Sequence, residues 1–574
     1  MLANLRVPGV YVQEIRTLPP SVAAVPTAIP AFIGYTEIST DGFGESLVDR
    51  PQRIESQKDY EAIFGYGPRP TITSATLDAN NNFITADVNI PFHLYDAIRL
   101  FYANGGGECF VCSTGNYAGG IDPADFTGAG RALAQIALVD EPTLLLFPDA
   151  AALTAAELAG IQQVALAQCG ALQDRFTVCD CVETDTLGTN FRDEIGTNNL
   201  KYGAAYTPWL SVRLERGINY GMLRGMALNG PTGPIAGGLT NAGLQNNDAN
   251  VVNLLARYDL IDDVDSAYRD FRADPAGVGA DETALTTAIS DLHDATDADA
   301  DGTPVTVTTP RDAFLAALTA YTGIDDTDPA QAAGIPAASG RLSETHAAYR
   351  TALEAAYQPE ANLRNLFPAY RAIADGINNL PQATPPSGAV TGIYARTDAQ
   401  RGVWKAPANE SLNGVLAPAV RFTTAQLGNL NIHPAGGKSI NAIRSFTGRG
   451  TLVYGARTLA GNDSENRYVN VRRLLIFLEE SIKKAAEQFV FEPNDANTWI
   501  RVRGMIENFL ELQWRAGALQ GARVRDAYRV AIGLGTTMTA DDVTSGRMII
   551  EISLAPVRPA EFIILRFSQQ QAQS

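Results

Sequence analysis

Between residues 26 and 212, short apolar runs alternate with amphipathic stretches. AFIGY (31–35), ECFVC (108–112), TLLLF (143–147), RFTVC (175–179) and the run into Pro208-Trp209-Leu210 have the length and apolar content of buried strands. Between them, FHLYDAIRLFYANGG repeats Phe92, Tyr95, Ile98 and Phe101/Tyr102 at helical spacing and stops at Gly105-Gly106. AELAGIQQVALAQCG predicts a second helix ending at Gly170. Strands and helices taken in turn predict an α/β layer architecture.

The pattern changes at residue 213. Residues 213–385 are rich in Ala, Asp, Asn and Thr and contain helical stretches such as RDAFLAALTAYTG and SETHAAYRTALEAAY. The tract DATDADADGTP reads as a surface loop, and LPQATPPSG closes the segment as a Pro-rich linker. This segment is read as a mostly helical surface insertion domain.

From 386 the chain reads as strand-poor, then strongly helical. Val471, Leu474/Leu475, Leu478, Ile482, Ala485/Ala486 and Phe489 mark one face of a helix. After Glu492-Pro493-Asn494-Asp495, a second helix carries Trp499, Val502, Ile506, Phe509/Leu510 and Trp514. Two amphipathic helices joined by so short a turn predict an antiparallel pair. Residues 386–546 are read as one carboxyl-terminal domain.

Both chain ends are strand-forming. In residues 1–25, Val10, Tyr11, Val12 and Ile15 form a β-prone run between Pro8-Gly9 and Pro19-Pro20. In residues 547–574, Ile549, Ile550 and Ile552 and then Phe562, Ile563 and Ile564 predict two strands broken by APVRPA, with a polar tail. The fold class is therefore multidomain α/β and α+β: a discontinuous α/β core over 26–212, the insertion, the helix-pair domain and two terminal β-arms.

At 574 residues the chain exceeds one compact core. A net charge of -19 disfavours nucleic acid or an anionic membrane as the main partner. The five cysteines, Cys109, Cys112, Cys169, Cys179 and Cys181, are too sparse for a disulfide framework and fit a reducing compartment. The start has no basic-then-apolar signal pattern and no stretch is apolar enough to span a membrane, so synthesis and folding in the cytoplasm are expected.

Four groups of residues invite a catalytic or ligand-binding reading. Gly436-Gly437-Lys438-Ser439 resembles the end of a phosphate-binding loop, but position 432 is Ile where that loop needs Gly. Asp297, Asp299, Asp301 and Gly302 match half a calcium loop, whose twelfth position is Thr308 instead of Glu. Cys109 and Cys112 have zinc-like spacing, but a tetrahedral site with Cys179 and Cys181 requires neighbouring strands. His93, His293, His346 and His433 lack a nucleophile context. No catalytic site, cofactor or metal is expected, and the chain reads as a structural part and not an enzyme.

Several blocks resemble contractile tail sheath proteins, of phage tails and of tail-like injection systems. They are PGVYVQEI with SVAAVPTAIPAFIG, PQRIESQKDYEAIFG, SGAVTGIYARTDAQRGVWKAPANESLNGV, NAIRSFTGRGTLVYGARTLAG and YVNVRRLLIFLEESIKKAAEQFVFEPNDANTWIRVR. The resemblance covers about 1–212 and 386–567 and leaves the insertion without an inherited role. It implies stacked hexameric rings around an inner tube, attachment to a baseplate and to terminator or cap proteins, and contraction that drives the tube through an envelope. It also implies that the terminal arms join neighbouring subunits by β-augmentation; the alternative is that they pair within one subunit. The exposed side of the first carboxyl-terminal helix, with Glu479, Glu480, Lys483 and Lys484, is expected to face the tube. The second reading is another structural component of such a particle, a tube or baseplate protein.

Overall fold

The computed structural model describes residues 22–40, 45–245, 248–273, 280–297, 305–324, 331, 334–433 and 436–566. The chain divides into two units, one of 28–396 with 407–464, the other of 1–27, 397–406 and 465–574.

The larger unit is organised by a nine-stranded sheet. Its order is Glu410–Ser411, Gly450–Val453, Ile440–Phe446, Gly203–Thr207, Phe176–Asp180, Leu144–Leu146, Pro30–Thr36, Cys109–Asn116 and Gln52–Ile54. The six central strands run parallel, and antiparallel pairs finish both edges. Every residue of Pro30–Thr36, Leu144–Leu146, Phe176–Asp180 and Gly203–Thr207 is buried. Parallel strands need covering on both faces, which is why these segments read as continuous apolar runs. The expected strands and helices of this region are present, the helices as Leu94–Ala103 and Ala155–Leu172.

Helix Ser387–Arg401 approaches helix Leu94–Ala103 backbone to backbone. A Cβ on Gly388 would lie 2.3 Å from the Ala97 carbonyl oxygen, and one on Gly392 would lie 2.5 Å from that of Phe101. Glycine at a four-residue interval on one helix face permits this contact. Tyr394, on the same helix, shares a 2.6 Å hydroxyl hydrogen bond with Tyr206.

Two features of this unit differ from the sequence reading. Residues 386–464 are not strand-poor, because Ile440–Phe446 and Gly450–Val453 form a hairpin and Val415–Pro418 joins a three-stranded sheet. The hairpin turn rests on Gly448 and Gly450 at φ 76° and 73°, a conformation that glycine adopts without strain. Second, the hairpin Thr71–Leu77/Phe83–Asn89, tipped by Asp78 accepting the amides of Asn80 and Asn82, pairs with Ala227–Gly230. Its Ile72, Ala75 and Leu77 are buried with Leu223, Leu363, Tyr370 and Ile373, so residues 71–89 share a core with the 213–385 segment.

That segment holds the helices Ala249–Ala273, Ala280–Asp297, Val305–Thr322, Ile335–Tyr357, Pro359–Leu366 and Pro368–Asn378. A second core of Ile261, Val264, Phe271, Leu285, Phe314, Tyr349 and Leu353 holds four of them together.

In the smaller unit, helices Val469–Ala486 and Ala496–Arg515 form the expected pair, the second N-capped by Asp495. Leu474, Leu478, Val502, Ile506, Phe509 and Leu510 are buried in their shared core. Each such side chain contributes about 1.5–3 kcal/mol of burial free energy. Trp499 and Trp514 lie at the edge of this core, half-buried.

Candidate assembly surfaces

Among the described residues, the candidate ligand-binding motifs lie apart from one another. The strand bearing Cys109 and Cys112 is separated from the one bearing Cys179 by two others, so the four thiols do not meet. All five cysteines are buried, and burial pushes the Cys109 and Cys112 thiols up to about 12. Lys438 of the GGKS run points inward: its ammonium donates to the Arg192 carbonyl, and the Arg192 guanidinium donates to the carbonyls of Lys438, Leu187, Asn429 and Leu430. The loop is thus tied to the protein's own backbone. Asp299 and Asp301 of the half calcium loop lie outside the described residues. His93 is buried at its helix start against the Trp209 ring, and burial lowers its pKa to about 4.

The smaller unit carries the surfaces of interest. Strand Tyr528–Ala531 pairs antiparallel with Glu551–Leu554, in register Tyr528 with Leu554 and Ala531 with Glu551. These two strands are the whole sheet among the described residues, so each leaves one edge of N–H and C=O groups open. A cleft of about 610 Å³ runs between strand Tyr528–Ala531 and helix Ala496–Arg515. Gly504, in mid-helix with no atom within 4 Å of a Cβ position, forms part of its wall beside Glu507 and Glu511. Glycine at an exposed helix interior costs about 1 kcal/mol relative to alanine, and nothing within the described chain uses the space.

Of the strand-arm residues, Ile550 and Ile552 pack on the core of their own unit, and Ile549 is 37% exposed. Past Leu554 the chain is held by Val557 N–H on the Ala518 carbonyl and by the Tyr468 hydroxyl on Glu561. It then runs free of strand partners: Phe562, Ile563, Ile564 and Leu565 are 68–80% exposed. One carboxyl-terminal strand forms where two were expected, because the second has no neighbour among the described residues. Val10, Tyr11, Val12 and Ile15 lie outside the described residues.

On helix Val469–Ala486, Glu479, Lys483 and Lys484 are at the surface, with Glu479 held 2.6 Å from Arg472. Glu480 is not on that exposed side: it is 7% exposed and turned inward, with Lys483 folded over it at 3.1 Å. One helical step of 100° separates it from its neighbour, and that step takes it off the exposed face.

Residues 462–570 match the phage tail sheath C-terminal domain. The chain is 27% identical over 201 residues to the tail sheath protein of Vibrio phage KVP40 and 24% identical over 199 residues to that of Salmonella phage ViI. Each match takes 34% of this chain and spans only 28% and 30% of those relatives' length. Among solved structures, the helical sheath of the anti-feeding prophage in its contracted state superposes with a TM-score of 0.53 at 26% identity, covering 98% of this chain and 99% of that one. The sheath complex of the PVC extracellular contractile injection system, also contracted, gives a TM-score of 0.54 over 98% of both chains; at 24% identity it shows the fold alone. Residues 462–570 thus carry a phage tail sheath C-terminal domain, and along almost its whole length the chain is similar to the contracted helical sheath of the anti-feeding prophage.

Proposed function

We propose that this chain is the sheath subunit of a contractile tail-like particle, assembling as stacked hexameric rings around an inner tube. Contraction of the stack drives the tube through a target envelope. Its partners are further copies of itself, the inner tube protein, the baseplate and a terminator or cap protein; neither nucleic acid nor a membrane is engaged directly. The role is structural and not enzymatic.

The observation that carries this reading is the two-stranded sheet with both edges open, next to an exposed apolar tail, inside the part of the chain that matches the sheath domain. An unpaired tail and an unfilled edge on the same unit are complementary across a subunit boundary, where main-chain hydrogen bonds supply the strength. Strands exchanged in this way keep their bonds while the subunits reorient as rigid bodies. Residues 10–15 supply the second exchanged strand. Glu479, Lys483 and Lys484 face the tube, and residues 213–385 project from the outer surface.

Electron microscopy of the purified chain tests the reading, with tubes of stacked rings as the expected result. A variant lacking residues 1–15 is expected to stay folded and soluble but to form no tubes, because no described core depends on them. Normal tubes from that variant would overturn the arm model.

A further inference from the structure

The hairpin Ile440–Phe446/Gly450–Val453 carries a cluster that neither the sheet nor the exchanged arms use. Phe446 and Tyr454 pack with ring centroids 5.0 Å apart. The Arg444 guanidinium lies over both rings, 4.5 Å from Phe446 and 5.3 Å from Tyr454, and Arg449 approaches Phe446 from the turn at 5.6 Å. Arg449 gives one hydrogen bond to the Asn409 side chain at 2.6 Å. Neither arginine has a carboxylate partner among the described residues, whereas Arg131, Arg224 and Arg364 each have two. Tyr454 is half exposed and Arg449 is exposed.

Contact with the rings leaves guanidinium N–H groups available: among the described residues the Arg444 guanidinium makes no hydrogen bond and that of Arg449 only the one to Asn409. Those groups match a carboxylate in a two-point geometry. The rings also hold the side chains in place beforehand, so little rotamer entropy is lost on docking. We infer that Arg444 and Arg449, braced by Phe446 and Tyr454, form a docking site for aspartate and glutamate side chains of a second copy of this chain. The inference rests on the sheath reading above. Charge favours this partner: with 63 acidic against 44 basic residues, another copy offers carboxylates in excess of cations. The contact is head-to-tail, each copy offering its arginines to one neighbour and its carboxylates to another, as an open stack requires.

The test compares tube formation by the parent chain and by Arg444→Glu/Arg449→Glu, using sedimentation and electron microscopy. Melting curves check the fold. The variant should melt like the parent yet need a concentration raised about tenfold or more to form tubes, the effect of losing one or two charged hydrogen bonds. Arg444→Lys/Arg449→Lys, which keeps the charge and loses the planar fork, should fall between the two. If the glutamate variant misfolds, Arg444→Gln/Arg449→Gln carries the same comparison. Tubes from either charge-removing variant at the parent's concentration would overturn the inference. So would normal tubes that fail to co-assemble with a tube protein, since the patch would then serve the tube. A parent chain that forms no tubes at all defeats the sheath reading itself, a result distinct from both.

Discussion

Arg473 grips Asp398 through both carboxylate oxygens, at 3.1 and 2.6 Å, with side chains only 3% and 6% exposed. The Thr27 hydroxyl donates to the same carboxylate at 2.6 Å, and the Thr27 carbonyl accepts from Arg473 at 2.8 Å. Residues 27, 398 and 473 come from three separate stretches of the smaller unit, and this network ties them together. Asp398→Ala would strand a buried guanidinium and should cost about 3–5 kcal/mol in urea unfolding. The double change Arg473→Met/Asp398→Leu should cost less, because no charge is left unpaired. Equal costs would show that packing, not charge, holds the site.

Gly392→Val tests the close helix contact. Its side chain would meet the Phe101 carbonyl oxygen and the Asn104 side chain at 2.5 and 2.7 Å. Overpacking of this kind costs about 1–3 kcal/mol or more, read as a lower melting temperature. Gly504→Val, with open space around it, should leave the melting temperature within the small propensity change and act only on tube formation.

Two buried acids give the fold a pH dependence. Asp149 accepts the amides of Tyr35 at 2.6 Å, Leu94 at 2.7 Å and His93, and burial still raises its pKa to about 6. Asp180 accepts the Ser387 amide at 2.9 Å, and burial raises it to about 7. Both folded values exceed the ordinary 3.8, so the fold favours the protonated acid. The stabilisation is complete below about pH 4 and is lost as pH rises through 6 and then 7. Asp180→Asn keeps the hydrogen bond and removes the titration. Its melting temperature should match the parent's near pH 4, exceed it increasingly up to about pH 7 and keep that margin above; a constant difference across this range would refute the assignment.

Removing residues 558–574 deletes the exposed Phe562–Leu565 run without touching the paired strand Glu551–Leu554. Under the strand-exchange proposal this truncated chain folds and fails to polymerise. Adding back a peptide of residues 558–574 should not rescue long tubes, because a free peptide fills the edge without linking two subunits.

The segment 213–385 cannot be cut out whole, because Ile72, Ala75 and Leu77 of the 71–89 hairpin depend on its inner core. The helices bearing Asp265 and Arg350 come within an ion pair of 2.9 Å, so a short Gly/Ser linker in place of 266–349 spares that core. If the outer bundle only decorates the particle, this variant still forms tubes, thinner in outline by electron microscopy. A folded variant without tubes would place the bundle in the lattice.

The sequence by itself determined five of the six central parallel strands, all but Ile440–Phe446, the two helices beside them and the carboxyl-terminal helix pair. In each of these the apolar positions are set by burial against a neighbouring layer, and the period shows directly in the chain. The hairpins 71–89 and 440–453 were legible in principle, from Asp78-Ala-Asn-Asn-Asn82 and Thr447-Gly448-Arg449-Gly450, but their alternation is short and half polar. Only the tertiary structure decided that the first of these hairpins pairs with strand Ala227–Gly230, some 150 residues away, since register with a distant strand leaves no local periodicity. It also turned Glu480 inward and Lys438 onto a backbone carbonyl, and it brought Arg444, Phe446, Arg449 and Tyr454 together. A charged residue's surroundings depend on which carbonyls, rings and carboxylates the fold brings near it, and no spacing along the chain encodes that.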